Sequence, residues 1–362
     1  MARRFFLLLF LAFFPAGYAQ LQPGFDKEEY LEMMRISICS VRDSAYASDF
    51  EKPKTHRMLY QSANIGLENS WDLWTDDKVT AVISLRGTTR SPESWLENFY
   101  AAMVPAKGTL QLDKNTAFNY QLAENPEAAV HVGWLVGMAF LAREIVPKIE
   151  QLYQNNTKDF LIMGHSQGGG IAYLLTAYLY QLQRKHLLPD DIRFKTYCSA
   201  GPKPGNLYFA YEYEALTQNG WAYNVVNPLD WVPETPFSVQ TLNDFNVTNP
   251  FKDAKKTIRK EKFPRNVALG YAFSRMDNPS RKAQRNYEKF LGKMTSKLVA
   301  KYLKDLKVPD YAPTANYVRT GAMIVLPVDE AYQKQFPPND KNVFLHHVHK
   351  PYMILASRLS FP

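Results

Sequence analysis

The pentapeptide Gly164–Gly168 lies between a short strand-like apolar run, Phe160–Met163, and an apolar helical segment, Gly168–Leu182. A strand that turns directly into a helix leaves no room for side chains two residues on either side of the central serine, so glycine is needed at both positions. Ser166 would lie on this sharp turn, with the N–H groups of the helix N-terminus directed at it. The pattern predicts a serine nucleophile. The alternative is a Gly-rich turn with no chemical role.

Strands and helices alternate along the chain. Apolar periodicity predicts helices over 26–45, 131–152 and 168–182, and strands over 79–85, 160–163, 192–199 and 222–226. This order is typical of an α/β fold with a mostly parallel sheet covered by helices on both faces. The 362 residues, 46% of them hydrophobic, are enough for one large or two small domains with a packed core.

A serine hydroxyl needs a base to take its proton and a carboxylate to orient that base. With this strand-turn-helix arrangement the acid and then the histidine follow the serine along the chain. Asp230 comes just after the strand predicted at 222–226 and meets the first requirement, although it could instead cap a turn. Three histidines near the C-terminus, His346, His347 and His349, are candidates for the base. Residue chemistry alone does not choose among them.

Metal binding finds little support in the sequence. No H-E-x-x-H motif is present, and the cysteines have no spacing typical of a metal site. The histidine trio at 346–349 is the one cluster that could alternatively hold a metal ion.

The N-terminus has the pattern of an export signal. Arg3 and Arg4 precede the apolar run Phe5–Phe14, and small residues follow up to Ala19. A run this short does not cross a bilayer, which needs roughly 20 residues. We expect a signal peptide at 1–19, cleavage near Ala19, and one exported (secreted or periplasmic) domain over 20–362. The alternative is a retained anchor. Export permits a disulfide between the two cysteines, Cys39 and Cys198, but does not require it.

The net charge of +8 is unevenly distributed. Residues 252–307 contain 17 Lys and Arg against five Asp and Glu, a net charge of +12, and apolar residues recur at helical spacing from Tyr287 to Leu306. We expect a helical insertion at about 251–312. This basic segment could make a transient contact with an anionic lipid surface, or simply be a packed helix with a solvated lysine face. Nucleic-acid binding is not expected, because no reading motif is present.

Together these motifs resemble the class 3, or fungal-type, lipase family of α/β-hydrolases, from about Val79 to the C-terminus. Ile83–Thr88 is similar to the family's strand and oxyanion loop, His131–Trp134 to the start of the helix before the nucleophile, and Asn227–Pro233 to the segment with the triad aspartate. The resemblance implies that Thr88 and Gln167 are oxyanion donors through their backbone N–H groups. Family members often have leucine where Gln167 stands, and a backbone donor tolerates this change.

The resemblance also favours one histidine. The family's catalytic histidine precedes a tyrosine, commonly by three or five residues, which selects His349 or His347 here. A paired His-His before a Tyr-apolar helix favours His347, with His349 as its rival. Asp230 and His347 are 117 positions apart, roughly twice the separation in compact fungal members, and the basic insertion accounts for the excess. The strand-like 317–326 then resembles the closing β element.

Residues 91–99 resemble the short amphipathic lid of these lipases. The resemblance implies that Trp95, Leu96 and Phe99 share one face, cover the serine in water and turn outward at a lipid interface. The alternative is an ordinary surface helix whose apolar face stays buried.

These observations predict a secreted serine ester hydrolase that cleaves acyl esters of lipids such as acylglycerols. Ser166, Asp230 and His347 would form the triad, Thr88 and Gln167 the oxyanion hole, and the acyl-enzyme mechanism would need no cofactor. A phospholipase or a feruloyl-type esterase of the same fold is the alternative among enzymes. The alternative outside enzymes is a lipid-surface binding protein with an inactive hydrolase fold.

Overall fold

A seven-stranded sheet forms the centre of the computed structural model, which describes residues 21–77 and 79–360. Its strand order is β1-β2-β3-β8-β9-β10-β11, with antiparallel pairing from β1 to β3 and parallel pairing from β3 to β11. The strands are β1 Arg57–Gln61, β2 Trp71–Thr75, β3 Thr80–Leu85, β8 Asp159–His165, β9 Arg193–Ser199, β10 Ala222–Val226 and β11 Ala322–Val325. The predicted α/β architecture with a mostly parallel sheet is confirmed.

Two small sheets and the helices surround this centre. The small sheets pair β4 Met103–Pro105 with β7 Ala129–His131, and β5 Lys107–Asp113 with β6 Thr116–Gln121. The helices before the insertion are α1 Lys27–Ser40, α2 Ser44–Ala47, α3 Pro92–Phe99, α4 Val132–Gln154, α5 Gln167–Arg184 and α6 Leu207–Leu216. Those within and after it are α7 Ala254–Arg259, α8 Arg265–Asn286, the π-helical segment Tyr287–Met294, α9 Thr295–Val299, α10 Glu330–Gln335 and α11 His349–Ser357.

Each face of the sheet has its own hydrophobic core. In β3, Ile83 faces the core formed with α4 and α5, and its neighbour Val82 faces the core formed with α1 and α11. In β8, Ile162 and Leu161 divide between the two cores in the same way. Successive side chains of a strand point to opposite faces, so strands covered on both sides are apolar throughout. This explains why the sequences of the buried strands are continuous apolar runs.

Side-chain caps define where the helices begin. Asp26 accepts a hydrogen bond from the backbone N–H of Glu29 at the start of α1. His131 does the same for Trp134 at the start of α4 through Nδ1, at 3.2 Å. Such caps satisfy N–H groups that have no partner inside the helix.

The basic segment is helical, but its last helix ends earlier than the apolar spacing indicates. The periodicity predicts a helix up to Leu306, whereas α9 ends at Val299. Beyond it, Leu303 and Leu306 turn onto the main core, and Lys307 pairs with Gln111 through two backbone hydrogen bonds. These long-range contacts replace the last helical turns, and no local signal marks the change.

Other predictions concern single features. The signal peptide predicted at 1–19 lies outside the described residues. Cys39 and Cys198 are both free thiols in the structure. Within 21–77 and 79–360, every helix is too short or too polar to span a bilayer.

Candidate active site

Ser166 occupies the turn between β8 and α5 with φ of +61° and ψ of −130°. A Cβ on Gly164 would lie 2.1 Å from the carbonyl oxygen of Gly168, and a Cβ on Gly168 would lie 2.3 Å from the carbonyl oxygen of Leu85. Neither distance is possible for carbon, so both positions require glycine. The left-handed backbone of Ser166 is strained for a residue with a side chain, and the tight packing of β8 against α5 holds it there.

His347 lies between Ser166 and Asp230. Its Nε2 is 2.8 Å from Ser166 Oγ, and its Nδ1 is 2.8 Å from Asp230 Oδ2. Nδ1–H donates a hydrogen bond to the carboxylate, which leaves Nε2 free to accept a hydrogen bond from the serine hydroxyl. The three side chains that were predicted as a triad are thus brought together in one hydrogen-bonded chain.

The other two C-terminal histidines have different partners. His349 contacts Ser37 Oγ at 3.1 Å and Tyr46 OH at 3.0 Å, and burial lowers its pKa to about 3. His346 contacts Tyr332 OH at 2.8 Å, and burial lowers its pKa as well. Neither ring is hydrogen-bonded to Ser166 or Asp230. Of the three candidate histidines, His347 is the one that is hydrogen-bonded to both Ser166 and Asp230.

Two neighbouring side chains, Tyr352 and His165, hold Asp230 and His347 in position. Tyr352 donates a hydrogen bond of 2.7 Å to the same oxygen of Asp230 that His347 contacts. His165 Nε2 donates to the backbone carbonyl of His347 at 2.8 Å, and burial with two neighbouring histidines keeps the pKa of His165 well below its ordinary value. A neutral His165 holds the loop that carries His347 without adding a charge beside it.

Thr88 and Gln167 flank the serine, and helix α3 holds both side chains. Asn98 Nδ2 donates to Thr88 Oγ1 at 2.9 Å, and Ser94 Oγ donates to Gln167 Oε1 at 3.3 Å. The backbone N–H groups of Thr88 and Gln167 have no hydrogen-bond acceptor among the described residues. Two free N–H groups beside a nucleophile are what an oxyanion site requires.

The three predicted lid residues do not share one face. Trp95 and Phe99, 37% and 58% exposed, line the cleft beside Ser166. Leu96 is partly buried and packs on the main core instead. Residues four apart on a helix point in the same direction, whereas adjacent residues diverge by about 100°, so Leu96 belongs to the inner side of α3. The structure therefore does not place Leu96 with Trp95 and Phe99 beside the cleft.

Two cavities meet at Ser166. One, of about 320 Å³, is mainly apolar and is bordered by Phe99, Trp134, Val232, Phe237 and Leu291. The other, of about 450 Å³, has a mixed lining, in which Val41 and Val348 accompany Arg86, Arg90, Asp43 and Tyr46. Trp95 and Phe344, with ring centroids 6.1 Å apart, border both. An ester bound at the serine would have its two ends in chemically different surroundings.

The sequence did not point to several of these residues. Asn98 and Ser94 are hydrogen-bonded to Thr88 and Gln167, and Tyr352 is hydrogen-bonded to Asp230. Phe344 borders both cavities. Asn98 and Ser94 had a usable signal, since both are polar residues on the inward side of an amphipathic helix beside the nucleophile. In the sequence, Tyr352 serves only as the tyrosine that follows the candidate histidines. Its contact with Asp230 joins positions 122 apart.

Among the described residues, no group of three or more His, Cys, Asp or Glu side chains is arranged to hold a metal ion.

Residues 82–240 match the family model "Lipase (class 3)". The chain is similar to the Rhizomucor miehei lipase propeptide complex, at 20% identity over 60% of this chain and 66% of that chain, with a TM-score of 0.42. It is also similar to a lipase from Rhizopus microsporus var. chinensis, at 20% identity over 58% of this chain and 69% of that chain, with a TM-score of 0.42. A third similar structure is that of a Yarrowia lipolytica lipase, at 18% identity over 58% of this chain and 74% of that chain, with a TM-score of 0.44. No curated protein sequence matches this chain.

The sheet topology and the family match define an α/β-hydrolase, and its class is that of the carboxylic ester hydrolases of lipase type. The match over 82–240, which is 159 of the 362 residues, supports a class 3 lipase assignment for this part of the chain. It covers the oxyanion loop, the nucleophile turn and Asp230, and ends before the basic insertion and His347.

Proposed function

We propose that this protein is an exported serine hydrolase that cleaves acyl esters of lipids such as acylglycerols. The observation that carries the proposal is the hydrogen-bonded chain from Ser166 through His347 to Asp230, beside an apolar cavity. Export rests on the sequence of residues 1–19, and the N-terminal residue of the protein recovered outside the cell would test cleavage near Ala19.

The reaction follows from the positions of the side chains. Ser166 attacks the ester carbonyl while His347 takes its proton, and Asp230 stabilises the imidazolium that forms. The backbone N–H groups of Thr88 and Gln167 bind the oxyanion. His347 then protonates the leaving alcohol, and a water molecule activated by His347 releases the fatty acid from Ser166 by the same steps.

Replacing Ser166 by Ala tests the mechanism. We expect hydrolysis of p-nitrophenyl butyrate to fall roughly 10⁴- to 10⁶-fold, while the unfolding midpoint stays near that of the wild type. A fluorophosphonate probe should label the wild type at Ser166 and leave the variant unlabelled. Labelling at another residue, or substantial turnover by a folded variant, would contradict the assignment. Absence of labelling in the wild type would favour a lipid-surface binding protein.

The exposed side chains near the apolar cavity support contact with a lipid interface. Trp95 and Phe99 project from α3, and Phe237 is 67% exposed at the other side of the cavity. We propose that these rings enter the lipid while the inner side of α3 keeps its contacts with Thr88 and Gln167. Assaying a short-chain ester below and above its solubility limit tests this. A Trp95→Ala, Phe99→Ala variant should lose most of any rate increase on emulsion formation, and an unchanged increase would refute the idea.

A lysine column on the insertion supports contact with anionic lipid. Lys289, Lys293, Lys297 and Lys301 recur every four residues beside the exposed apolar residues Phe290, Met294 and Leu298. Each lysine near an anionic membrane contributes about 1 kcal/mol, and this contribution is screened by salt.

Vesicle binding tests this contact. Changing Lys289, Lys297 and Lys301 to Gln should weaken binding to vesicles with anionic lipid roughly 100-fold at low salt. The matched control changes Lys114, Lys185 and Lys334, three exposed lysines outside the insertion. Binding that is equal for both variants, or indifferent to salt and to anionic lipid, would leave the column as a solvated surface.

A further inference from the structure

A third cavity, of about 280 Å³, lies outside the site of Ser166. The rings of Tyr100, the residue directly after α3, and of Tyr311 border it. The aliphatic residues at the end of the insertion form the rest of its apolar wall, namely Val299, Ala300, Leu303, Leu306 and Val308. The apolar cavity beside Ser166 has a volume of about 320 Å³, so the two cavities have room for alkyl chains of similar length.

The walls of this third cavity are held by contacts with the main body of the protein. Tyr100 is buried, and its hydroxyl oxygen is 2.9 Å from that of Tyr311. Val299 is buried in the main core, and Leu303 and Leu306 pack against that core while they stay partly exposed. The cavity is therefore bounded by packed side chains, and its aliphatic lining is only partly removed from water.

Lys297 supplies the charge at this cavity. Among the described residues that line it, Lys297 is the one with a charged side chain, and none has a carboxylate. Its ammonium is exposed and has neither a hydrogen bond nor an ion pair with any described residue. The stretch 293–311 contains five lysines against Asp305 and Asp310, a net charge of +3, so the acidic neighbours do not cancel the positive charge. A ligand with an alkyl chain and one negative charge matches this lining.

On the basis of the proposed function, we infer that the third cavity is a second binding site, separate from the catalytic one, for the fatty acid that the reaction releases. The alkyl chain packs against the aliphatic side chains and removes them from water. The carboxylate pairs with the ammonium of Lys297, whereas an uncharged acylglycerol would gain nothing from that group. Tyr287 and Leu291, which border the apolar cavity beside Ser166, precede this site on the same helical stretch of the insertion. One element therefore borders both the cavity proposed for the acyl chain and the site proposed for the released acid.

The test measures the binding of decanoate by titration calorimetry, below the concentration at which decanoate forms micelles. The protein is first inactivated with a fluorophosphonate that carries a decyl chain, which occupies Ser166 and the apolar cavity. The inactivated wild type should still bind decanoate. In Ala300→Trp, whose ring enters the cavity from its exposed side, the dissociation constant should rise roughly 10-fold or more. In Lys297→Gln it should rise about 3- to 5-fold, because one exposed ion pair is lost, while the binding of decanol should stay unchanged.

Ala331→Trp and Lys334→Gln are the matched controls, because both residues are exposed on α10 and border none of these three cavities. Both should bind decanoate like the wild type. Absence of binding to the inactivated wild type would overturn the second site, as would a dissociation constant unchanged in Ala300→Trp or in Lys297→Gln, and these results would leave the proposed esterase function standing. Failure of the fluorophosphonate to react with Ser166 would instead contradict the proposed function, and the comparison of the wild type with Ala300→Trp would still decide whether the cavity binds a fatty acid.

Discussion

Replacing Glu97 by Gln tests whether a protonated carboxyl holds helix α3 against α4. Glu97 is fully buried, and its Oε2 accepts a hydrogen bond of 2.6 Å from Asn69 Nδ2. Its Oε1 has no partner among the described residues, and it lies where a Cβ on Gly137 would be only 2.2 Å away. Burial disfavours the charged form and raises the pKa of this carboxyl to about 8, although the Asn69 hydrogen bond works in the opposite direction.

The raised pKa determines how stability depends on pH. In the unfolded chain Glu97 loses its proton near its ordinary pKa of 4.5, whereas the folded protein keeps the proton up to about pH 8. The contribution of Glu97 to the free energy of unfolding is therefore most favourable below pH 4.5, and it is lost as the pH rises to about 8. Each tenfold change in the acid constant corresponds to about 1.36 kcal/mol, so the contribution lost over this window is up to roughly 5 kcal/mol.

Urea unfolding of the wild type and Glu97→Gln at pH 5, 7 and 9 measures this contribution. Gln can still accept a hydrogen bond from Asn69 but does not ionise. The free energy of unfolding of the variant should therefore not fall in this way as the pH rises. Relative to the wild type, its free energy of unfolding should rise by about 4 kcal/mol between pH 5 and pH 9, because part of the contribution is already lost at pH 5. At pH 5 the variant should be about 1 kcal/mol less stable, because its amide has two N–H donors without an acceptor, whereas the protonated carboxyl has one O–H donor.

Glu93→Gln, on the same helix but half-exposed, is the matched control. Its difference from the wild type should change by less than about 1 kcal/mol over the same pH range. If the difference between the wild type and Glu97→Gln were the same at pH 5 and pH 9, the carboxyl would already be ionised in the folded protein. The reasoning from burial would then be refuted.

Three further predictions concern the site. His347→Ala should lower hydrolysis of p-nitrophenyl butyrate by roughly 10⁴-fold or more, whereas His349→Gln should keep most activity; equal loss in two folded variants would contradict the assignment of the base. Tyr352→Phe should lower kcat about 3- to 10-fold with little change in KM, because Asp230 loses one donor, and unchanged kcat would remove Tyr352 from the mechanism. Leu291→Trp should shift the preferred acyl chain to shorter lengths, measured over a chain-length series, and an unchanged profile would place the chain elsewhere.

Much of the fold can be predicted from local pattern because its main signals are local. The strand Ala222–Val226 has the predicted bounds, and α1 begins directly after its predicted cap, Asp26. Gly164 and Gly168 mark the nucleophile turn, since the close approach of β8 and α5 excludes any side chain there. In these places the residue type itself carries the structural requirement.

Contacts between distant positions account for what was missed. The resemblance grouped Leu96 with Trp95 and Phe99 on one face, although only its packing on the main core decides its direction. The end of α9 at Val299 depends on where Leu303 and Leu306 find buried positions. The role of Asn98 likewise requires Thr88 to be at hydrogen-bond distance, and no periodicity encodes that distance.

The long connection between Asp230 and His347 is part of the site's structure. Leu291 and Tyr287, on the π-helical segment of the insertion, border the apolar cavity beside Ser166. Val299 is 1% exposed within the main core, and Gly292 lies so close to Ala102 that a Cβ there would be 2.9 Å from it. The same helix therefore forms a cavity wall on its inner side and displays the lysine column on its outer side. A membrane bound by that column would lie directly beside the wall that an acyl chain must pass, so surface binding and substrate entry would depend on one element.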